Sequence, residues 1–122
     1  MLFDTTQLAL ERAIEGAGKR HEALAANIAN ANTPGYQRVD VDFHGALQAA
    51  MGGDEDSNTA LEGLSFSAAK DASAGATRAD GSTVDIDSES AKLAANALEQ
   101  QAAVQVLHAR LGILKAAMGV SS

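Results

Sequence analysis

Apolar residues recur at alternating steps of four and three at both ends of the chain. Near the start, Leu10, Ile14, Ala17, His21, Leu24, Ile28 and Ala31 mark one stripe, with His21 as a polar guest. Near the end, Leu93, Ala97, Gln100, Val104, Leu107, Leu111, Leu114 and Met118 mark a second, with Gln100 as the guest. This rhythm is a heptad seam, and it predicts helices over about Thr5 to Ala31 and Ser88 to Met118. Gly16 and Gly18 interrupt the first helix, each costing about 1 kcal/mol relative to alanine, and predict a bend or soft spot. Asp87 or Ser88 suits the cap of the second. Asp85, Asp87 and Glu89 place negative charge where its dipole is positive, Lys115 sits near the opposite end, and Gly119 stops it.

The middle has a different texture. From Gly52 to Gly81 the chain is rich in Gly, Ser, Ala and Asp, with Leu61, Leu64 and Phe66 as its large apolar residues. Such a composition rarely offsets the entropy of folding by itself, so this stretch reads as a mobile or partner-ordered loop with a short helix over Thr59 to Ala69. Two flanking pieces look extended: Val39 to Phe43, which alternates apolar and acidic residues, and Val84 to Ile86 after the Asp80–Gly81 turn signal. They are expected to pair with each other. His44 to Met51 suits another short helix. The fold expected is mainly α: long N- and C-terminal helices form an antiparallel coiled-coil hairpin, with a flexible central loop and at most a small β element. One domain then divides into a helix, exit turn and extended segment (1–51), a flexible acidic loop (52–81) and a C-terminal heptad helix packing on the first (82–122). The seams are thin, so the hairpin alone should be marginally stable, and burial against other subunits would remedy that.

The end of the first helix is chemically distinctive. Asn27, Asn30 and Asn32 precede Thr33-Pro34-Gly35-Tyr36, which contains the chain's one proline. Proline fixes φ at the second position of a turn, and glycine accepts the positive φ that a type II turn needs at the third. The helix must end before Pro34. Asn30 and Asn32 are placed to meet unpaired carbonyls of the last turn, and asparagine tolerates the left-handed conformation. Asn27 and Asn30 share a face beside the Ile28/Ala31 seam. One reading is that these amides cap and solvate a helix end; the other is that they recognise neighbouring chains at a fixed register.

Composition narrows the function. The formal net charge is −7 over 122 residues, which argues against nucleic-acid binding and against docking on anionic lipid. There is no cysteine, hence no disulfide or thiolate chemistry, and no apolar run long enough to span a bilayer. The first residues, MLFDTTQLALERAIEG, lack the basic start and apolar core of a cleaved secretory signal. Motif-like fragments fail on detail. Gly18-Lys19 imitates a phosphate loop, but Ala13 and Arg20 stand where Gly and Ser or Thr belong. Asp54, Asp56 and Asn58 have calcium-loop spacing, but Thr59 and Ser65 replace the required Gly and Glu. His21, His44 and His108 show no metal-ligand spacing, and His21 on the seam is expected as a packed, hydrogen-bonded imidazole. No cofactor, metal or catalytic group is expected, and aromatic residues are too few to line a pocket.

The run LAANIANANTPGYQRVDVDF resembles the N-terminal signature of bacterial flagellar rod and hook proteins, nearly completely from Leu24 to Tyr36. The C-terminal stretch DGSTVDIDSESAKLAANALEQQAAVQVLHARLGILKAAMG is similar to that of the smallest rod members. The resemblance covers both ends and leaves the middle unmatched. It implies a proximal rod subunit whose terminal helices pack with copies and relatives into a helical tube. That tube transmits torque and surrounds the export channel. It implies further partners at the rod base, in the membrane ring and the export apparatus, and passage through the flagellar type III apparatus without a cleaved signal. It also implies an interface carried by Leu10, Ile14, Leu24, Asn27, Ile28, Asn30, Asn32, Pro34, Gly35, Tyr36, Leu93, Val104, Leu107, Leu111, Leu114 and Met118. Another short rod protein, or a soluble coiled-coil adaptor, is the alternative.

Overall fold

The computed structural model describes residues 4–53, 56–71 and 77–119. In chain order these form helix α1 (Thr5–Ala29), strand β1 (Val39–Asp40), helix α2 (Phe43–Gly52), helix α3 (Ser57–Glu62), strand β2 (Ala69–Lys70) and helix α4 (Ile86–Ala117). Each helix starts on an aspartate. The carboxylates of Asp4, Asp42, Asp56 and Asp85 accept from backbone N–H groups of the first turns of α1, α2, α3 and α4. An aspartate there satisfies orphan donors and places a negative charge at the positive end of the dipole. Asp85, not Asp87 or Ser88, caps α4, because the helix begins two residues earlier than the heptad alone indicates. At its far end Gly119 takes φ +73°, the left-handed conformation that closes a helix.

The two long helices pack side by side and antiparallel. Arg110 of α4 reaches Asp4 at 3.0 Å, Gln100 reaches the carbonyl of Ile14 at 3.3 Å, and Asn96 that of Ala17 at 2.8 Å. Glu89 meets Asn27 at 3.1 Å. α1 runs as one unbroken helix through Gly16 and Gly18. Gly16 instead admits Phe43 to the helix surface, and Phe43 anchors a core with Ala17, Ala23 and Val41, flanked by Val39, Leu47 and Phe66. The rings of Phe43 and Phe66 meet edge to face at 6.5 Å.

The β element is not the one expected from alternation. β1 pairs antiparallel with β2, Val39 opposite Lys70, whereas Ile86 has joined α4. The short helix of the middle segment is α3 at Ser57–Glu62; Ala69, expected at a helix end, lies in β2. α3 sits on α1: Leu61 is buried, and Arg12 donates to the carbonyls of Leu61 at 2.8 Å and Glu62 at 3.2 Å. A cation at those terminal carbonyls is favoured by the α3 dipole. The mobility expected of 52–81 falls in part on 54–55 and 72–76, and the calcium-like spacing on Asp54; these lie outside the described residues.

Candidate assembly interface

The exit of α1 is built as a turn clamped by a second turn. Asn30 closes the helix, its Nδ2 donating to the Ala26 carbonyl at 2.9 Å and its Oδ1 accepting from the Thr33 hydroxyl at 3.2 Å. It does so at φ −104°, without the left-handed conformation. Tyr36 N–H then donates to the Thr33 carbonyl at 3.2 Å and Gly35 takes φ +75°, as a type II turn requires. The segment 78–83 clasps this turn. Gly35 N–H donates to Asp80 at 2.8 Å, Thr83 N–H to Tyr36 at 3.1 Å, and Arg78 Nη1 to the Ala31 carbonyl at 2.9 Å. Asn32, Pro34 and Gly35 remain exposed at this end of the hairpin, and Tyr36 is half-buried.

Asn27 is wholly buried. Its Oδ1 accepts from Val39 N–H at 2.9 Å and its Nδ2 donates to the Val39 carbonyl at 2.7 Å. These are the two bonds that a neighbouring strand would make, so one amide side chain closes the open edge of β1. Its remaining capacity meets Tyr36 OH at 3.3 Å and Glu89 Oε2 at 3.1 Å. The amide's hydrogen bonds are thus all spent within its own chain.

Beside it lies a charge cluster. Arg38 and Glu89 are both buried and face each other through two hydrogen bonds, Arg38 Nε to Oε1 and Nη2 to Oε2. Nη1 of Arg38 binds Asp71, and Nη2 also reaches Asp40 at 3.1 Å. Arg20 holds the same Asp40 at 2.8 Å. Burial disfavours the Arg38 cation, but hydrogen bonds and charge from Glu89 and Asp40 outweigh it and push its pKa above the ordinary value. Burial pushes the Asp40 carboxyl up, yet the bonds from Arg20, Val41 N–H and Arg38 prevail and leave it below its usual range. The cluster joins α1, β1, Asp71 and α4.

Along the hairpin, Leu24 is buried, whereas Leu10, Ile14, Ile28, Leu93, Val104, Leu107, Leu111 and Leu114 are half-buried; Met118 is exposed. α4 carries a second apolar stripe that points away from α1. Leu98 is 68% exposed, Val106 48% and Ile113 71%, separated by exposed Ala102 and Ala109. A helix apolar on both sides belongs between partners. His21, expected on the seam as a packed imidazole, is exposed, as is His108; His44 stacks on Phe43 and pairs with Glu99.

Heptad reasoning did not find Arg38, Asp40, Glu89, Asn96 or the outward stripe. Arg38 immediately precedes the alternating run Val39 to Phe43, and alternation does not show which face is covered. Glu89 lies in the first turn of α4, where its charge also suits the helix dipole and so gives no sign of a buried partner. The one available signal for the stripe was that Leu98, Val106 and Ile113 are apolar yet off the heptad. Among the described residues no group of three or more His, Cys, Asp or Glu side chains is arranged to hold a metal ion, and no helix is long and apolar enough to cross a membrane.

The family model described as flagella basal body rod protein matches residues 11–37, which hold most of α1 and the whole exit turn. The flagellar basal body rod protein FlgB of Salmonella typhimurium (strain LT2) is 38% identical over 116 residues, 83% of each chain. FlgB of Escherichia coli (strain K12) is 34% identical over the same share, and FlgB of Proteus mirabilis (strain HI4320) is 31% identical over 88% of this chain and 89% of its own. These relatives do not favour another short rod protein or a soluble coiled-coil adaptor. The antiparallel helix pair, its clamped exit turn and relatives matched over most of their length agree: the chain belongs to the FlgB family of flagellar basal-body rod proteins and is a structural subunit of that rod.

Proposed function

We propose that this subunit builds the proximal rod by packing its terminal helices against copies of itself and other rod proteins. The resulting tube transmits torque and encloses the export channel. Its role is mechanical and not enzymatic. Its neighbours at the rod base are membrane-ring and export-apparatus components, and it reaches the rod through the flagellar type III apparatus.

The observation that carries this reading is the outward stripe of α4. Leu98, Val106 and Ile113 lie exposed on a 32-residue helix whose opposite side is already engaged by α1. Packing them between subunits would remove that apolar surface from water, at about 25 cal/mol per Å². The half-buried seam residues and the exposed Asn32, Pro34, Gly35 and Met118 complete the surface offered to neighbours.

The test is a Leu98→Glu/Ile113→Glu variant in motile cells. The purified subunit should keep its helical circular dichroism and melting temperature, because neither side chain is buried within the chain. Cells making it should fail to assemble rods and fail to swim. Normal swimming would show that this face meets no partner.

A further inference from the structure

Apolar packing does not choose the register of the two long helices. A slide of α4 by one heptad, about 10.5 Å, leaves the stripe against α1 almost unchanged. In one direction Leu93, Ala97, Val104, Leu107 and Leu111 are replaced by Gln100, Val104, Leu111, Leu114 and Met118. In the other, Gln100, Val104, Leu111 and Leu114 give way to Leu93, Ala97, Val104 and Leu107. On the α1 side the facing surface is also permissive, because Ala17 and Gly18, which meet Asn96 and Gln100, are small.

The buried polar contacts are not permissive. The carboxylate of Glu89 is held by Arg38 and Asn27, and Asn96 donates to the Ala17 carbonyl at 2.8 Å, all five residues being buried. In the first slide Asn96 takes the place of Glu89, leaving the Arg38 cation without its buried carboxylate. In the second Glu89 takes the place of Asn96, and a carboxylate then faces the Ala17 carbonyl oxygen. The first slide leaves Arg38 only its half-buried partners Asp71 and Asp40, and the second strands the Glu89 carboxylate inside the protein.

We propose that the Asn27–Arg38–Glu89 cluster, together with Asn96, is a register pin. It selects one alignment of α4 on α1 among heptad-related alternatives of similar apolar burial. Its contribution lies in specificity: apolar residues of similar volume fill the same space without choosing a register. The outward stripe of α4 is thereby presented at one height relative to the exit turn of α1. The proposal concerns the isolated chain and stands whether or not that stripe contacts another subunit.

The chain has no cysteine, so engineered pairs report the register directly. A Cβ on Gly18 would lie 3.5 Å from Gln100 Nε2, which makes Gly18→Cys/Gln100→Cys the reporter of the native alignment. Gly18→Cys/Leu93→Cys and Gly18→Cys/Leu107→Cys report the two slides. In the otherwise native chain the first pair should oxidise at least about tenfold faster than the other two, since each slide breaks the buried Arg38–Glu89 pair. With Arg38→Met/Glu89→Leu/Asn96→Leu added, that preference should collapse while the helical circular dichroism persists. A preference retained in this background would overturn the proposal and assign the register to the clasp of the two turns. Should the triple variant lose its helical signal, the same ratio is read in Glu89→Gln/Asn96→Leu, which keeps a hydrogen-bonding group opposite Arg38. There a reduced preference supports the pin, and an unchanged one overturns it.

Discussion

The ring of Phe43 lies directly on Gly16, so that a Cβ built on Gly16 would fall 2.5 Å from the Cβ of Phe43. Real contacts of that kind do not occur, and the absent side chain is what lets the α2 start reach α1. Gly16→Ala should therefore destabilise the chain by about 1–3 kcal/mol through overpacking, despite the better helix propensity of alanine. Gly18→Ala should do the reverse. Its Cβ would meet Gln100 Nε2 at an ordinary 3.5 Å, so the gain in propensity, up to about 1 kcal/mol, survives. Thermal melts followed by circular dichroism should move the two variants in opposite directions.

The two turns at the exit of α1 touch through glycines. Gly81 takes φ +84°, and a Cβ there would lie 3.2 Å from the Cα of Gly35. Gly81→Ala combines left-handed strain with a tight contact to backbone and should cost at least about 1–2 kcal/mol. The loss should appear as a lowered denaturant midpoint. It should also speed amide exchange at Gly35, whose N–H binds the Asp80 carbonyl at 2.8 Å.

Removing only the cation of the buried cluster should be costly. Arg38→Met leaves Glu89 inside the protein with an amide but no counter-charge, a situation that typically costs about 3–5 kcal/mol. Adding Glu89→Leu removes the stranded carboxylate and should restore much of that loss. A double-mutant cycle from urea melts measures the difference. Equal destabilisation by the single and double variants would show that Glu89 is not stranded in the absence of Arg38.

Acid should weaken the fold partly through Asp40. Burial raises its carboxyl, but the bonds from Arg20, Val41 N–H and Arg38 outweigh that and hold it below the ordinary 3.8. The folded chain thus releases this proton more readily than the unfolded chain does. The resulting stabilisation is present above about pH 3.8 and is lost as pH falls through the lower folded value. Asp4 shifts the same way, chiefly through the Gln7 N–H and, beyond it, the charge of Arg110. Melting temperatures measured from neutral to strongly acidic pH should fall along that lower range, and Asp40→Asn should flatten part of the slope.

Much of this arrangement was legible in the residues. The heptad of Leu10 to Ala31 and that of Leu93 to Met118 identified both long helices, and Thr33-Pro34-Gly35-Tyr36 identified the turn between helix and strand. The asparagines were harder. Asn30 behaves as a helix-end amide should, bonding within four residues of itself. Asn27, three positions earlier on the same helix, is buried because β1 and α4 happen to close over it. Arg38 and Glu89 gave no local sign of their pairing, being 51 positions apart in the chain. The partner of β1 was misassigned for a similar reason. Val84 to Ile86 alternates as a strand would, but the Asp85 cap starts α4 at Ile86 and takes that residue out of contention.

Sequence alone determined the two long helices and the exit turn, because those depend on hydrogen bonds and dihedral preferences acting over a few neighbouring residues. Tertiary structure decided which segment pairs with β1, which polar side chains are enclosed, and which of two apolar stripes on α4 faces inward. A helix greasy on both sides carries no internal instruction for that last choice. It is settled by the small residues of α1 and by the buried contacts of Glu89 and Asn96, which exist only once distant parts of the chain have met.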